Sequence, residues 1–79
     1  MDHRALERLR WRSRRGLLEL DLVFDRFWSG RGARMNEEEA ARLEALLELP
    51  DNDLLDIVMG RAEAPEAKLR HVVDMLRAA

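Results

Sequence analysis

Seventy-nine residues without a cysteine exclude disulfide scaffolds and thiolate metal sites, and leave room for one domain spanning residues 1–79, with a stability of about 4 to 12 kcal/mol. No 18 apolar residues run together, which excludes a membrane-spanning helix, and the charged start MDHRALERLRW lacks the apolar stretch of a signal peptide, so a cytoplasmic protein is expected. The net charge of −2 hides a split: residues 1–34 carry nine arginines against five acids, whereas residues 35–79 carry five bases against eleven acids, which predicts a dipolar surface able to steer a partner.

Ala, Leu, Glu and Arg dominate, and the β-branched residues are limited to Val23, Ile57, Val58, Val72 and Val73, so the expected class is all-α. Asp2 to Arg14 reads as an amphipathic helix with Ala5, Leu6 and Leu9 at helical spacing. Gly16 interrupts it, and Leu17 to Trp28 follows with Leu17, Leu20, Phe24, Phe27 and Trp28 in one stripe, the centre of the expected core. Ser29 to Ala33 reads as the longest loop. Asn36 with Glu39 three positions on forms a capping box for a helix from Glu37 to Leu49, which Pro50 ends. Asp51 or Asn52 can cap a short fourth helix closed by Gly60 at C′, and Pro65 is placed as the first residue of a fifth. The result is a five-helix bundle with Leu17, Leu20, Phe24, Leu43, Leu46, Leu54, Val58, Leu69, Val72 and Leu76 buried.

The chemical inventory argues against an enzyme. The hydroxyls are Ser13 and Ser29, the imidazoles His3 and His71, and there is no Thr or Tyr, so a converging Ser-His-acid arrangement has almost nothing to draw on. His71 with Asp74 offers two ligands where a transition metal needs three or four. Gly30-Arg31-Gly32 lacks the strand and third glycine of a phosphate cradle. Arg8, Arg10, Arg12, Arg14 and Arg15 would suit a nucleic-acid backbone, but alternate positions on a helix point in different directions and the chain is acidic overall.

The constellation that stands out is Arg14-Arg15-Gly16-Leu17-Leu18-Glu19-Leu20-Asp21. If the turn continues helically, Arg15, Glu19 and Arg26 share a face nearly opposite the core stripe. One reading makes this a partner-docking face. The other makes Gly16 the C-cap of the first helix and Arg15–Glu19 a surface pair contributing about 0 to 1 kcal/mol.

At these residues RLRWRSRRGLLELDLVFDRFW (Arg8 to Trp28) resembles the RGxxE region of the SdhE family, the flavoprotein assembly factors of succinate dehydrogenase, with Arg15, Gly16 and Glu19 meeting the motif and Trp11, Leu20, Asp21 and Phe27 suiting its surroundings. LLELPDNDLLDIVMG (Leu46 to Gly60) resembles the family's second recognisable stretch, while the Gly/Arg-rich connection Gly30–Arg34 departs from it. The resemblance implies a five-helix protein that binds the flavoprotein subunit of succinate dehydrogenase, and of fumarate reductase where present, and promotes covalent attachment of FAD to a histidine of that client. It implies no cofactor bound by the chain itself, and a partner-binding set of Arg15, Gly16 and Glu19 with Asp21 and Arg26 in second rank. A nucleic-acid-binding helical module and an antitoxin-like regulatory adaptor are the alternatives.

Overall fold

The computed structural model describes residues His3–Ala79, so the expected start at Asp2 lies outside the described residues. Among the described residues five α-helices follow one another: α1 (His3–Arg12), α2 (Leu18–Ser29), α3 (Glu37–Leu46), α4 (Asp51–Val58) and α5 (Arg70–Arg77), with 3₁₀ turns at Arg31–Arg34 and Ala67–Leu69. The all-α five-helix class is as expected. α2 lies at the centre, against α4 and α5, while α3 packs on α1 and α5.

The core follows the apolar periodicity. Nine of the ten residues expected inside are buried, and Leu17, at the entry to α2, is half-buried. Leu9, Val23, Phe27, Trp28, Met35, Ala40, Leu47, Ile57 and Val73 complete the same cluster. Phe27 and Trp28 meet edge to face, ring centroids 5.3 Å apart, a geometry that places the electropositive edge of one ring against the face of the other. The buried indole N–H of Trp28 donates to Ser13 Oγ at 2.9 Å, and Ser13 in turn donates to the Arg10 carbonyl at 2.6 Å. Ser13 therefore ties the end of α1 to α2 and satisfies a donor that burial would otherwise leave without a partner.

Helix ends show where local chemistry prevailed. The Asn36 side chain accepts from the Glu39 N–H at 2.7 Å and the Glu39 carboxylate accepts from the Asn36 N–H at 3.0 Å, the expected capping box. At the end of α4, Gly60 has φ +81° while the Arg61 N–H reaches the Asp56 carbonyl at 2.8 Å and the Gly60 N–H reaches Ile57 at 3.1 Å. This is the Schellman arrangement expected of a C′ glycine. Arg77 adds a second cap from α5, donating to the Ile57 carbonyl at 2.8 and 3.0 Å and to Ala62 at 3.0 Å.

Four expectations need correction. α1 stops at Arg12, short of Gly16, so Gly16 is not its C-cap. The segment after α2 is a 3₁₀ turn and not a loop, with Gly32 buried so closely that a Cβ there would lie 2.7 Å from the Phe27 ring. The N-cap of α4 is Pro50 and offers no side-chain cap; Asp51 is instead the first residue of the helix. Finally, α5 begins at Arg70, and Pro65 lies in the connection before it. Its apolar stripe starts only at Leu69, and a helical turn with no apolar face to bury gains too little from propensity to form.

Glu39 gives the fold a pH dependence. Besides the Asn36 N–H it accepts from Arg31 Nη2 and His71 Nε2, each at 2.8 Å, which joins the first turn of α3 to the 3₁₀ turn and to α5. The Asn36 N–H above all, then His71 and Arg31, hold its carboxyl below the usual glutamate range against the opposing effect of burial. The unfolded chain thus binds this proton more readily than the folded one, so the stabilisation is complete above the ordinary glutamate pKa and is lost as pH falls through the lowered one. Melting followed from pH 7 to pH 3 is expected to show a drop in Tm below about pH 4.5 that shrinks in Glu39→Gln; an equal drop in both proteins would place the acid sensitivity elsewhere.

Candidate functional site

The connection between α1 and α2 carries the residues singled out in the sequence. Asp21, in the first turn of α2, accepts the Arg15 backbone N–H at 3.0 Å. That bond folds residues 13–17 back against α2, and Gly16 takes φ +74° at the bend. A side chain in this left-handed region is strained by roughly 1 kcal/mol or more. Yet a Cβ built on Gly16 would meet nothing within 4 Å, so the backbone there faces open space.

This bend sends Arg15 away from Glu19. Its guanidinium crosses to the corner between α3 and α4, with Nη1 3.0 Å from Asp51 Oδ1 and Nη2 donating to the Leu47 carbonyl; the side chain is 16% exposed. The expected Arg15–Glu19 face is therefore not formed. It presupposed that helical spacing continues through residue 16, and the positive φ of Gly16 breaks that spacing. Arg15 instead caps a terminal carbonyl of α3 and pairs with an acid at the positive end of α4.

Glu19 and Arg26 do share a face, the side of α2 turned from the core. With them are two large apolar side chains that sequence reasoning left out, Leu18 at 75% and Leu22 at 51% exposure. Their signal was available: on a helical wheel they fall well outside the Leu20/Phe24/Phe27 stripe. Trp11 at the end of α1 is exposed too, with the Arg14 guanidinium 5.7 Å from its ring centroid. Glu19, Leu22 and Arg26 form one wall of a groove completed by the end of α4 and by α5.

The charge split of the sequence is partly cancelled by folding. Arg12 reaches Glu44 and Glu48 at 3.2 Å each, Arg15 reaches Asp51, and Arg31 reaches Glu39, so three arginines of the first half are paired with acids of the second. The expected separation into positive and negative lobes is reduced accordingly. The hydroxyls are committed as well: Ser13 donates to the Arg10 carbonyl and Ser29 to the Asp25 carbonyl. His71 faces Glu39, not a partner on its own helix. Among the described residues no helix is long and apolar enough to cross a membrane.

Comparison with known proteins fits this arrangement. The family model described as flavinator of succinate dehydrogenase matches residues 7–79. The FAD assembly factor SdhE of Ralstonia nicotianae is 46% identical over 76 residues, covering 90% of this chain and 79% of the relative. Its counterpart in Pseudomonas aeruginosa is 40% identical, covering 95% and 89%, and that of Legionella pneumophila 39% identical, covering 98% and 96%. A match spanning both the RGLLE turn and the α3–α4 corner to which Arg15 is tied carries one conclusion: the chain belongs to the family of the flavinator of succinate dehydrogenase.

Proposed function

We propose that this protein docks, in the cytoplasm, onto the flavoprotein subunit of succinate dehydrogenase, and of fumarate reductase where present, and promotes covalent attachment of FAD to a histidine of that subunit. The observation that carries the reading is the outward face of α2, where exposed Leu18 and Leu22 lie with Glu19 and Arg26 beside the open backbone at Gly16, in a chain belonging to the flavinator family. Apolar side chains flanked by charges suit a protein surface with complementary charge.

In this reading Gly16, Glu19 and Arg26 touch the client, and Arg15 and Asp21 position the turn that presents them. The FAD and the histidine it joins both belong to the client. The chain contributes binding energy: holding one client conformation in preference to others raises the population in which flavin and histidine are aligned. A nucleic-acid role gains nothing from the fold, because Arg12 and Arg15 of the arginine run are occupied by acids of the chain itself.

The direct test is to mix the purified protein with apo flavoprotein subunit and FAD, and to follow both complex formation and covalent flavin by in-gel fluorescence. Retention of the subunit and faster flavin attachment are expected. Failure to retain it, with attachment at the rate of the subunit alone, would overturn the reading.

A further inference from the structure

We infer that the groove between α2, the end of α4 and α5 seats an amphipathic helical segment of the client, with a carboxylate placed against Arg26 and a basic side chain against Glu19. This rests on the client-docking reading above and narrows it to one part of the surface and one chemistry.

The groove has an apolar floor and charged ends. Leu22 and Met59 lie along it, with Val58 and Leu76 of the core beneath them. Met59 is half-buried and follows α4; a methionine adapts its shape to an incoming side chain. Glu19 and Arg26 stand on the α2 wall seven residues apart, two helical turns or about 10 Å along the axis. Among the described residues neither takes part in an ion pair.

Arg77 lines the same groove, and its donors are turned to the carbonyls at the end of α4. Its charge is therefore committed to capping α4, and the α2 wall supplies the charges left to a partner. The α2 wall of the groove thus carries a negative charge at Glu19, an apolar middle at Leu22 and a positive charge at Arg26. A helix laid in it would present an acid and a base two turns apart with apolar residues between, the i, i+3/i+4, i+7 pattern by which helices are held in grooves.

The surface around exposed Leu18 and Trp11 makes the competing prediction; beside Leu18, Arg10 and Arg14 of the α1 side face Asp21 and Asp25 of α2, so these charges can offset one another within the chain. Asp21 is already bonded to the Arg15 N–H, and Arg14 lies over Trp11. The groove of α2, α4 and α5 keeps both end charges available.

The experiment measures Kd for the apo flavoprotein subunit with Leu22→Asp, Arg26→Glu and, as a control of equal charge change, Arg34→Glu in the 3₁₀ turn. A photo-crosslinking side chain is placed in turn at positions 22, 59 and 11. Expected are losses of about tenfold or more for the two groove variants, little change for Arg34→Glu, and crosslinks from 22 and 59 to a client helix carrying an acid and a base two turns apart. If wild type binds but both groove variants bind within about twofold of it, or crosslinks form only from position 11, the groove assignment falls while the docking reading stands. If wild type itself does not bind, the docking reading falls first.

Discussion

Glu19→Ala is expected to fold with nearly unchanged melting temperature and Gly16→Arg with one lowered by about 4 to 8 °C, and both are expected to lose most of their ability to promote flavin attachment. Glu19 is exposed, so its removal should cost at most about 1 kcal/mol of stability. If it meets a cation of the client in a desolvated interface, the same truncation removes about 2 to 5 kcal/mol of binding. Gly16→Arg adds roughly 1 kcal/mol of left-handed strain, but no steric clash within its own chain, since nothing lies within 4 Å of the added Cβ. Its larger effect would come from filling the space a client must approach.

Arg15→Ala behaves differently, and the contrast makes the experiment decisive. Its guanidinium holds the Leu47 carbonyl and Asp51 in a mostly buried position, so truncation should destabilise the fold by about 1 to 3 kcal/mol before any client is added. Loss of flavinylation in Arg15→Ala alone would thus point to a loosened turn. Loss in Glu19→Ala with Tm preserved would point to docking. Full flavinylation by stable Glu19→Ala and Gly16→Arg proteins would exclude these residues from the client interface.

The largest effect on stability is expected from Phe27→Ala. This ring is 1% exposed, meets Trp28 edge to face and is covered on one side by Gly32. Emptying such a site costs about 3 to 5 kcal/mol, a large share of the 4 to 12 kcal/mol available to a chain of this size. The fall in Tm should be roughly 12 to 40 °C. Leu22→Ala, which removes a half-exposed side chain from the same helix, is expected to change stability by about 0.5 kcal/mol or less. Similar melting for both variants would mean that the core is centred elsewhere.

The sequence by itself determined the helical class, the number of helices and nearly all of the core. Leu20, Phe24 and Phe27 of α2, Leu43 and Leu46 of α3, Leu54 and Val58 of α4, and Val72 and Leu76 of α5 each recur with helical spacing, and burying those stripes is the main favourable contribution to folding, so periodicity and burial coincide. It also determined the Asn36–Glu39 capping box and the Gly60 end of α4, because both depend on contacts within a few residues. Tertiary structure alone decided where the charges went. That Arg15 would turn to Asp51, Arg12 to Glu44 and Glu48, and Glu39 to Arg31 and His71 depends on partners 8 to 36 residues away in the chain. A long arginine can reach several carboxylates, and helical spacing predicts a face only while the helix continues. The left-handed bend at Gly16 ended that continuity, so which of Arg15, Glu19 and Arg26 would face outward together was settled by packing and not by spacing.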